Sequence, residues 1–163
     1  MAKISLRNYN HMIEGLIENG QHDEAIAHCR HILQTFSKYI ETYRLLGKAY
    51  LEAKRYNEAV DIFQRVLMSV PDDFVSHVGL SIIADDQSKL DEAIWHMERA
   101  FETQPSNAAI QSELQRLFKF LIIFHYLHSQ ARAAGIGLND PRLRQIRFYF
   151  FRYAVVVFEP CAL

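Results

Sequence analysis

One twelve-residue pattern occurs three times in the chain at a constant interval. The copies are HDEAIAHCRHIL from position 22, YNEAVDIFQRVL from position 56 and LDEAIWHMERAF from position 90. The interval from Ala25 to Ala59 equals the interval from Ala59 to Ala93, so no insertion separates the copies. A fixed period of this length is typical of repeat proteins, in which each repeat buries its apolar face against its neighbours. The sequence thus predicts a stacked array of similar units.

Each unit contains two amphipathic helical patterns. In the middle unit, apolar and small residues between Tyr43 and Tyr50 recur at intervals of three and four, so they share one face of a helix. A second pattern of the same kind runs from Tyr56 to Leu67. Pro71 then ends the helix, because a proline ring cannot continue the hydrogen-bond ladder. We therefore expect a helix-turn-helix in every unit.

Small residues mark the place where the two helices of a unit cross. Gly47 and Ala59 allow the helix axes to approach closely, because a larger side chain there would push them apart. The middle unit resembles the tetratricopeptide repeat (TPR), a helix-turn-helix unit with the same period. The matching positions are Tyr43, Leu46, Gly47, Tyr50, Ala59, Phe63 and Pro71.

The resemblance extends over three units, residues 6–39, 40–73 and 74–107. The first unit departs from the family pattern at Ile13, where a small residue is usual, and at Ser37, where proline is usual. Membership in this family implies an all-α fold, a right-handed α-solenoid in which the first helix of each unit forms the inner face. It also implies a protein-protein interaction scaffold that is not an enzyme and has no cofactor. The fold alone does not name the partner.

The family's inner-face positions give a candidate groove that would bind a peptide or a partner segment. The groove is expected to be mixed in charge at one end and largely apolar at the other, which suits a segment with a polar and a hydrophobic anchor. The competing interpretation is a merely solvated helix face whose valines and isoleucine pack under the next helix. The partner-binding candidates are Arg7, Asn10, Glu14, Glu41, Arg44, Lys48, Glu52, Val75, Val78, Ile82 and Asp85.

The first copy of the pattern also has the composition of a transition-metal site, since it contains three histidines and a cysteine. Cys29 aligns with Phe63 and Met97, which predicts a buried, inert thiol. His28 and His31 are left as possible surface ligands, but a structural metal site needs about four ligands. We therefore predict no metal site. No nucleophile-base set, phosphate loop or nucleophile elbow is recognisable either.

Composition adds little about the partner. The formal net charge of the 163 residues is −1, which does not favour nucleic acid. Cys29 and Cys161 form no closely spaced pair, and the N-terminus has no apolar segment typical of a signal peptide. The longest apolar run, Tyr153 to Phe158, is too short to span a bilayer. These features predict a cytoplasmic protein for which membrane contact is not expected.

The C-terminal region breaks the pattern. Residues 108–134 are expected to form a partial fourth repeat or a capping helix, and residues 135–163 an atypical aromatic and basic tail with a strand-like segment, AVVVF. From Lys119 onward there are six Lys and Arg residues but only two Asp and Glu. Three interpretations remain open: a cap on the array, a surface for self-association or membrane contact, or a truncated or frame-shifted reading of a longer repeat protein.

Overall fold

The computed structural model describes residues 5–133, and this part of the chain is built from α-helices and short turns, without strands. The chain divides between Leu114 and Gln115 into two compact units, of which the first contains six complete helices. The helices are α1 (Leu6–Glu18), α2 (His22–Thr35), α3 (Ile40–Glu52), α4 (Tyr56–Ser69), α5 (Phe74–Asp86), α6 (Leu90–Thr103) and α7 (Ala108–Ala133).

Equivalent helices recur with the period of the sequence. The first helices of the three pairs begin at Leu6, Ile40 and Phe74, which are separated by the same interval as the three aligned alanines. Within each pair the two helices pack on each other, and α3 also packs against α1, α2 and α5. The described part of the chain is therefore an all-α solenoid, as the sequence predicts.

The turn inside each pair has the same backbone geometry. Its central residue adopts a positive φ, 78° at Gly20, 59° at Lys54 and 61° at Ser88. In the first turn Gln21 N–H donates to the Leu16 carbonyl, and the other two turns repeat this bond. This is the Schellman arrangement, which ends a helix by placing one residue in the left-handed region. The turn therefore depends on a residue that tolerates that conformation.

The fourth unit lacks such a residue. The position one repeat after Ser88 is Ile122, and a β-branched side chain strongly disfavours positive φ. In the structure α7 continues through this position as a single helix of 26 residues. The missing turn thus has a local cause. Whether residues 108–134 act as a cap stays a prediction.

Phe63 lies at the centre of the core, and the position of its ring explains why residues 47 and 79 are glycines. Its side chain is almost fully buried. A Cβ added at Gly47 would lie 2.5 Å from Cε1 of this ring, and one added at Gly79 would lie 2.5 Å from its Cζ. Both distances are too short for a real contact, so α3 and α5 approach the ring only because they lack side chains there. The role predicted for Gly47 is confirmed, and Gly79 has the same role.

Acidic residues lie at the start of the second helices. The first turn of α2 contains Asp23 and Glu24, and that of α6 contains Asp91 and Glu92. Negative charge at this end of a helix complements the positive end of its dipole. These carboxylates therefore have a structural explanation and need no catalytic role.

The aromatic and basic tail, residues 135–163, with the strand-like AVVVF and Cys161, lies outside the described residues. Within residues 5–133, no helix is both long enough and apolar enough to cross a membrane.

Candidate functional site

The candidate residues form one stripe along each of the first helices. On α5, Val75, Val78 and Ile82 follow the spacing i, i+3 and i+7, which places them on a single face. Val75 is 37% exposed and Ile82 39% exposed, so this apolar row is open. The equivalent rows on α1 and α3 begin at Arg7 and Glu41. We call these three rows together the first-helix face.

Arg44 is fixed in the middle of the first-helix face by two carboxylates. Its Nε donates to Asp73 Oδ1 at 2.7 Å, and its Nη1 forms an ion pair with Glu41. Asp73 is 2% exposed and caps α5, because Oδ2 accepts bonds from the backbone N–H of Ser76 at 2.9 Å and from its hydroxyl at 2.7 Å. Arg44 is therefore a structural link between α3 and the start of α5.

The electrostatics of this link favour an ionised carboxylate. Burial by itself would raise the pKa of Asp73, but hydrogen bonds from Ser76 and Arg44 hold this pKa below its ordinary value. Asp73 is not among the site residues that the repeat pattern predicts. The spacing Asp73-x-x-Ser76 before an apolar run is an N-cap pattern that indicates the cap, although not the partner Arg44.

Asn10 differs from the other candidates because it is largely buried, with 8% of its surface exposed. Its Oδ1 accepts a hydrogen bond from the hydroxyl of Thr42 at 3.1 Å, which joins α1 to α3. A side chain with a buried partner is poorly placed to contact a ligand. Within the first-helix face, Asn10 therefore serves the packing of neighbouring repeats.

The other candidates remain accessible to different degrees. Lys48, Val78 and Asp85 are half-buried. The exposed candidates are Arg7, Glu14, Glu41, Glu52, Val75 and Ile82. The fold brings these residues onto one face of α1, α3 and α5. Their contact with a partner stays a prediction.

The comparisons with known proteins agree with this architecture. Residues 16–77 match the family described as Tetratricopeptide repeat. This chain contains tetratricopeptide repeats. A comparison with curated proteins gives no match. The TPR match and the helical array together support a protein-protein interaction scaffold.

Several solved structures share the TPR fold of this chain. MamA AMB-1 aligns with 83% of this chain and 76% of its own, at 16% identity and a TM-score of 0.56. MamA MSR-1 aligns with 90% of this chain and 85% of its own, at 18% identity and a TM-score of 0.57. A MamA mutant aligns with 90% and 86%, at 19% identity and a TM-score of 0.58. These identities are low, so the likeness concerns the fold.

The third TPR unit contains a histidine pair, between its two helices, that sequence reasoning missed. Nε2 of His77 lies 3.0 Å from the carbonyl oxygen of Pro71, and Nδ1 of His77 lies 3.0 Å from Nδ1 of His96. Because a carbonyl only accepts, Nε2–H of His77 donates to it, and the unprotonated Nδ1 accepts from His96. Burial first, and then repulsion between the two rings when both are protonated, lower the pKa of His96 to about 4. Trp95 packs edge-on against both rings.

The first copy of the pattern, whose composition resembles a metal site, has structural roles. Cys29 is fully buried, and burial raises its pKa to about 12, which confirms the predicted inert thiol. The interpretation of His28 as a possible surface ligand is corrected, because His28 is half-buried and its Nδ1 shares a hydrogen bond of 2.7 Å with the hydroxyl of Tyr9. Its neighbour His31 is exposed. Among the side chains that the structure describes, no three metal-binding groups converge.

Proposed function

We propose that the chain is a non-catalytic interaction module that binds a segment of a partner protein on the first-helix face. The observation that supports the proposal is the open apolar row of Val75, Val78 and Ile82 on α5. Apolar side chains of this size are usually buried when nothing else requires them. The same face also carries charged groups on α1 and α3, which is the mixture of apolar and polar contacts found in specific protein interfaces.

The polar links described above support a preorganised face. Arg44 and Asp73 connect α3 to α5, and Asn10 and Thr42 connect α1 to α3. A surface whose backbone is fixed before binding loses less conformational entropy when a partner docks. Arg44 and Asn10 thus contribute to partner binding by holding the helices that carry the contacting side chains.

A photo-crosslinking experiment tests the proposal. A benzophenone amino acid replaces Ile82 on the first-helix face or, as the matched control, Asp61, which is exposed on α4. The full chain is then irradiated in extract of its native cells. We expect a partner adduct from position 82 and none from position 61. Equal labelling from both positions, or labelling from 61 alone, would show that the first-helix face is not the binding surface.

A further inference from the structure

Three carboxylates lie at equivalent places on the first-helix face. Glu18, Glu52 and Asp86 are the last residues of α1, α3 and α5, and they follow the period of the repeat. Each lies on the same stripe as the residue eleven positions before it, because eleven residues make about three helical turns. On α5 this stripe is the apolar row of Val75 and Ile82. We call these three carboxylates the acidic edge.

The acidic edge lies where negative charge is unfavourable for the helices themselves. The end of a helix carries partial negative charge, so an acidic residue there destabilises the helix. None of α1, α3 and α5 has a basic residue in its last turn to compensate. The second helices show the favourable arrangement, with acids in the first turn. The acidic edge is therefore not explained by helix stability.

The ion pairing of these carboxylates differs from that of Arg44, the cation in the middle of the face. Asp86 is paired with Lys54 at 3.4 Å and with the hydroxyl of Tyr56. Glu18 and Glu52 are exposed, and neither is engaged by another described side chain. By contrast, the positive charge of Arg44 is already balanced by Glu41 and Asp73. The unpaired charge at the edge itself is thus negative, whereas the cations Arg7 and Lys48 lie elsewhere on the first-helix face.

On the basis of the proposed function, we infer that the partner segment is extended, with basic side chains opposite the acidic edge and apolar side chains on the row from Val75 to Ile82. Neighbouring packed helices lie about 9 Å apart, and an extended chain advances about 3.3 Å per residue, so about three residues pass each helix. In a polyproline II segment every third side chain points the same way, about 9 Å further along, so basic residues at every third position would meet successive carboxylates. Lys48 lies one turn before the edge and repels a basic side chain there, which restricts the basic positions to the edge itself.

Peptide binding to the full chain tests this inference. The probes are two fluorescein-labelled peptides, each long enough to cross the three first helices, with leucines at fixed positions and either lysine or glutamate at every third position. Fluorescence anisotropy at low salt gives the dissociation constants. We expect the lysine peptide to bind more tightly than the glutamate peptide, and its affinity to fall with added salt, because exposed charges are screened over about 10 Å at about 0.1 M salt.

Three variants locate the contacts. Glu52→Lys reverses an exposed charge of the acidic edge, and we expect it to weaken the lysine peptide about tenfold and to strengthen the glutamate peptide. Asp61→Lys makes the same charge change on α4 and should leave both affinities nearly unchanged. Ile82→Ser removes an exposed apolar contact and should weaken both peptides.

The outcomes separate the charge of the ligand from the location of the groove. If the glutamate peptide binds wild type as tightly as the lysine peptide, while Ile82→Ser weakens both, the groove is retained and the basic ligand is wrong. If Glu52→Lys and Asp61→Lys weaken the lysine peptide equally, binding follows net charge and the acidic edge is wrong. If Ile82→Ser changes neither affinity, the proposed function itself fails.

Discussion

Acid should destabilise this protein through the partly buried histidine pair between α5 and α6. His96 has its pKa lowered from 6.5 to about 4 in the folded chain, first by burial and then by the neighbouring His77. In the unfolded chain the group regains its ordinary value, so below pH 6.5 the unfolded state binds more protons than the folded state. The stabilisation by neutral His96 is therefore fully present above pH 6.5 and is lost as the pH falls towards 4.

The size of the effect follows from the two pKa values. Each pKa unit corresponds to about 1.4 kcal/mol, and integration from pH 7.5 to pH 5 gives a loss of at most about 2 kcal/mol, which solvent screening of a half-buried group reduces. Urea unfolding at the two pH values measures the change in the free energy of unfolding. His96→Ile installs the residue of the equivalent position in the second repeat, Ile62, and removes the titrating group.

Between pH 7.5 and pH 5, we expect the free energy of unfolding of His96→Ile to fall less than that of wild type, by up to about 2 kcal/mol. This difference does not depend on the absolute stability of the variant. His31→Gln removes an exposed histidine and serves as the control, whose pH dependence should follow that of wild type. Parallel pH profiles for wild type and His96→Ile would refute the reasoning, because they would show that the surroundings of His96, above all its burial, do not disfavour its protonation.

Three further substitutions have expected effects on the free energy of unfolding, measurable by urea denaturation at neutral pH. Gly79→Ala forces a Cβ into the ring it touches and should cost about 1–3 kcal/mol, whereas Gly15→Ala in the open part of α1 should stabilise slightly; equal effects would contradict the close contact. Arg44→Met leaves the carboxylate of Asp73 buried without its cation and should lower the free energy of unfolding by about 3–5 kcal/mol. Adding Asp73→Asn should recover much of this loss. An unchanged free energy of unfolding would show that the ion pair does not join the helices. Ser88→Gly relieves a positive φ and should stabilise by up to about 1 kcal/mol; destabilisation would contradict the strain argument.

The sequence predicts most of the helical array because the positions of the helices depend on residues that are close together in the chain. The interval between Ala25, Ala59 and Ala93 determines where equivalent helices recur, and the spacing of apolar residues determines which face is buried. The continuation of α7 is also local, since Ile122 replaces a residue that could adopt positive φ. These features of the helices can therefore be read from the sequence without knowing which residues are in contact.

The contacts between helices are harder to predict, because the partners are distant in the chain. Arg44 and Asp73 belong to different repeats, and their pairing requires the packing of α3 against the start of α5. His77 and His96 likewise look like ordinary positions of two different helices until the helices pack together. Asn10 occupies an inner-face position of its repeat, which makes it a candidate on sequence alone, but its side chain is buried and accepts a hydrogen bond from Thr42.

The position of Phe63 has a consequence for how the array unfolds. In repeat proteins, stability is approximately the sum of the intrinsic stability of each repeat and the coupling between neighbours. The side chain of Phe63 belongs to the second repeat, yet it contacts glycines of both the second and the third. The ring of Phe63 thus contributes both to the stability of the second repeat and to its coupling with the third. We expect loss of this ring to weaken both the second repeat and its coupling to the third, so that the two repeats unfold less cooperatively.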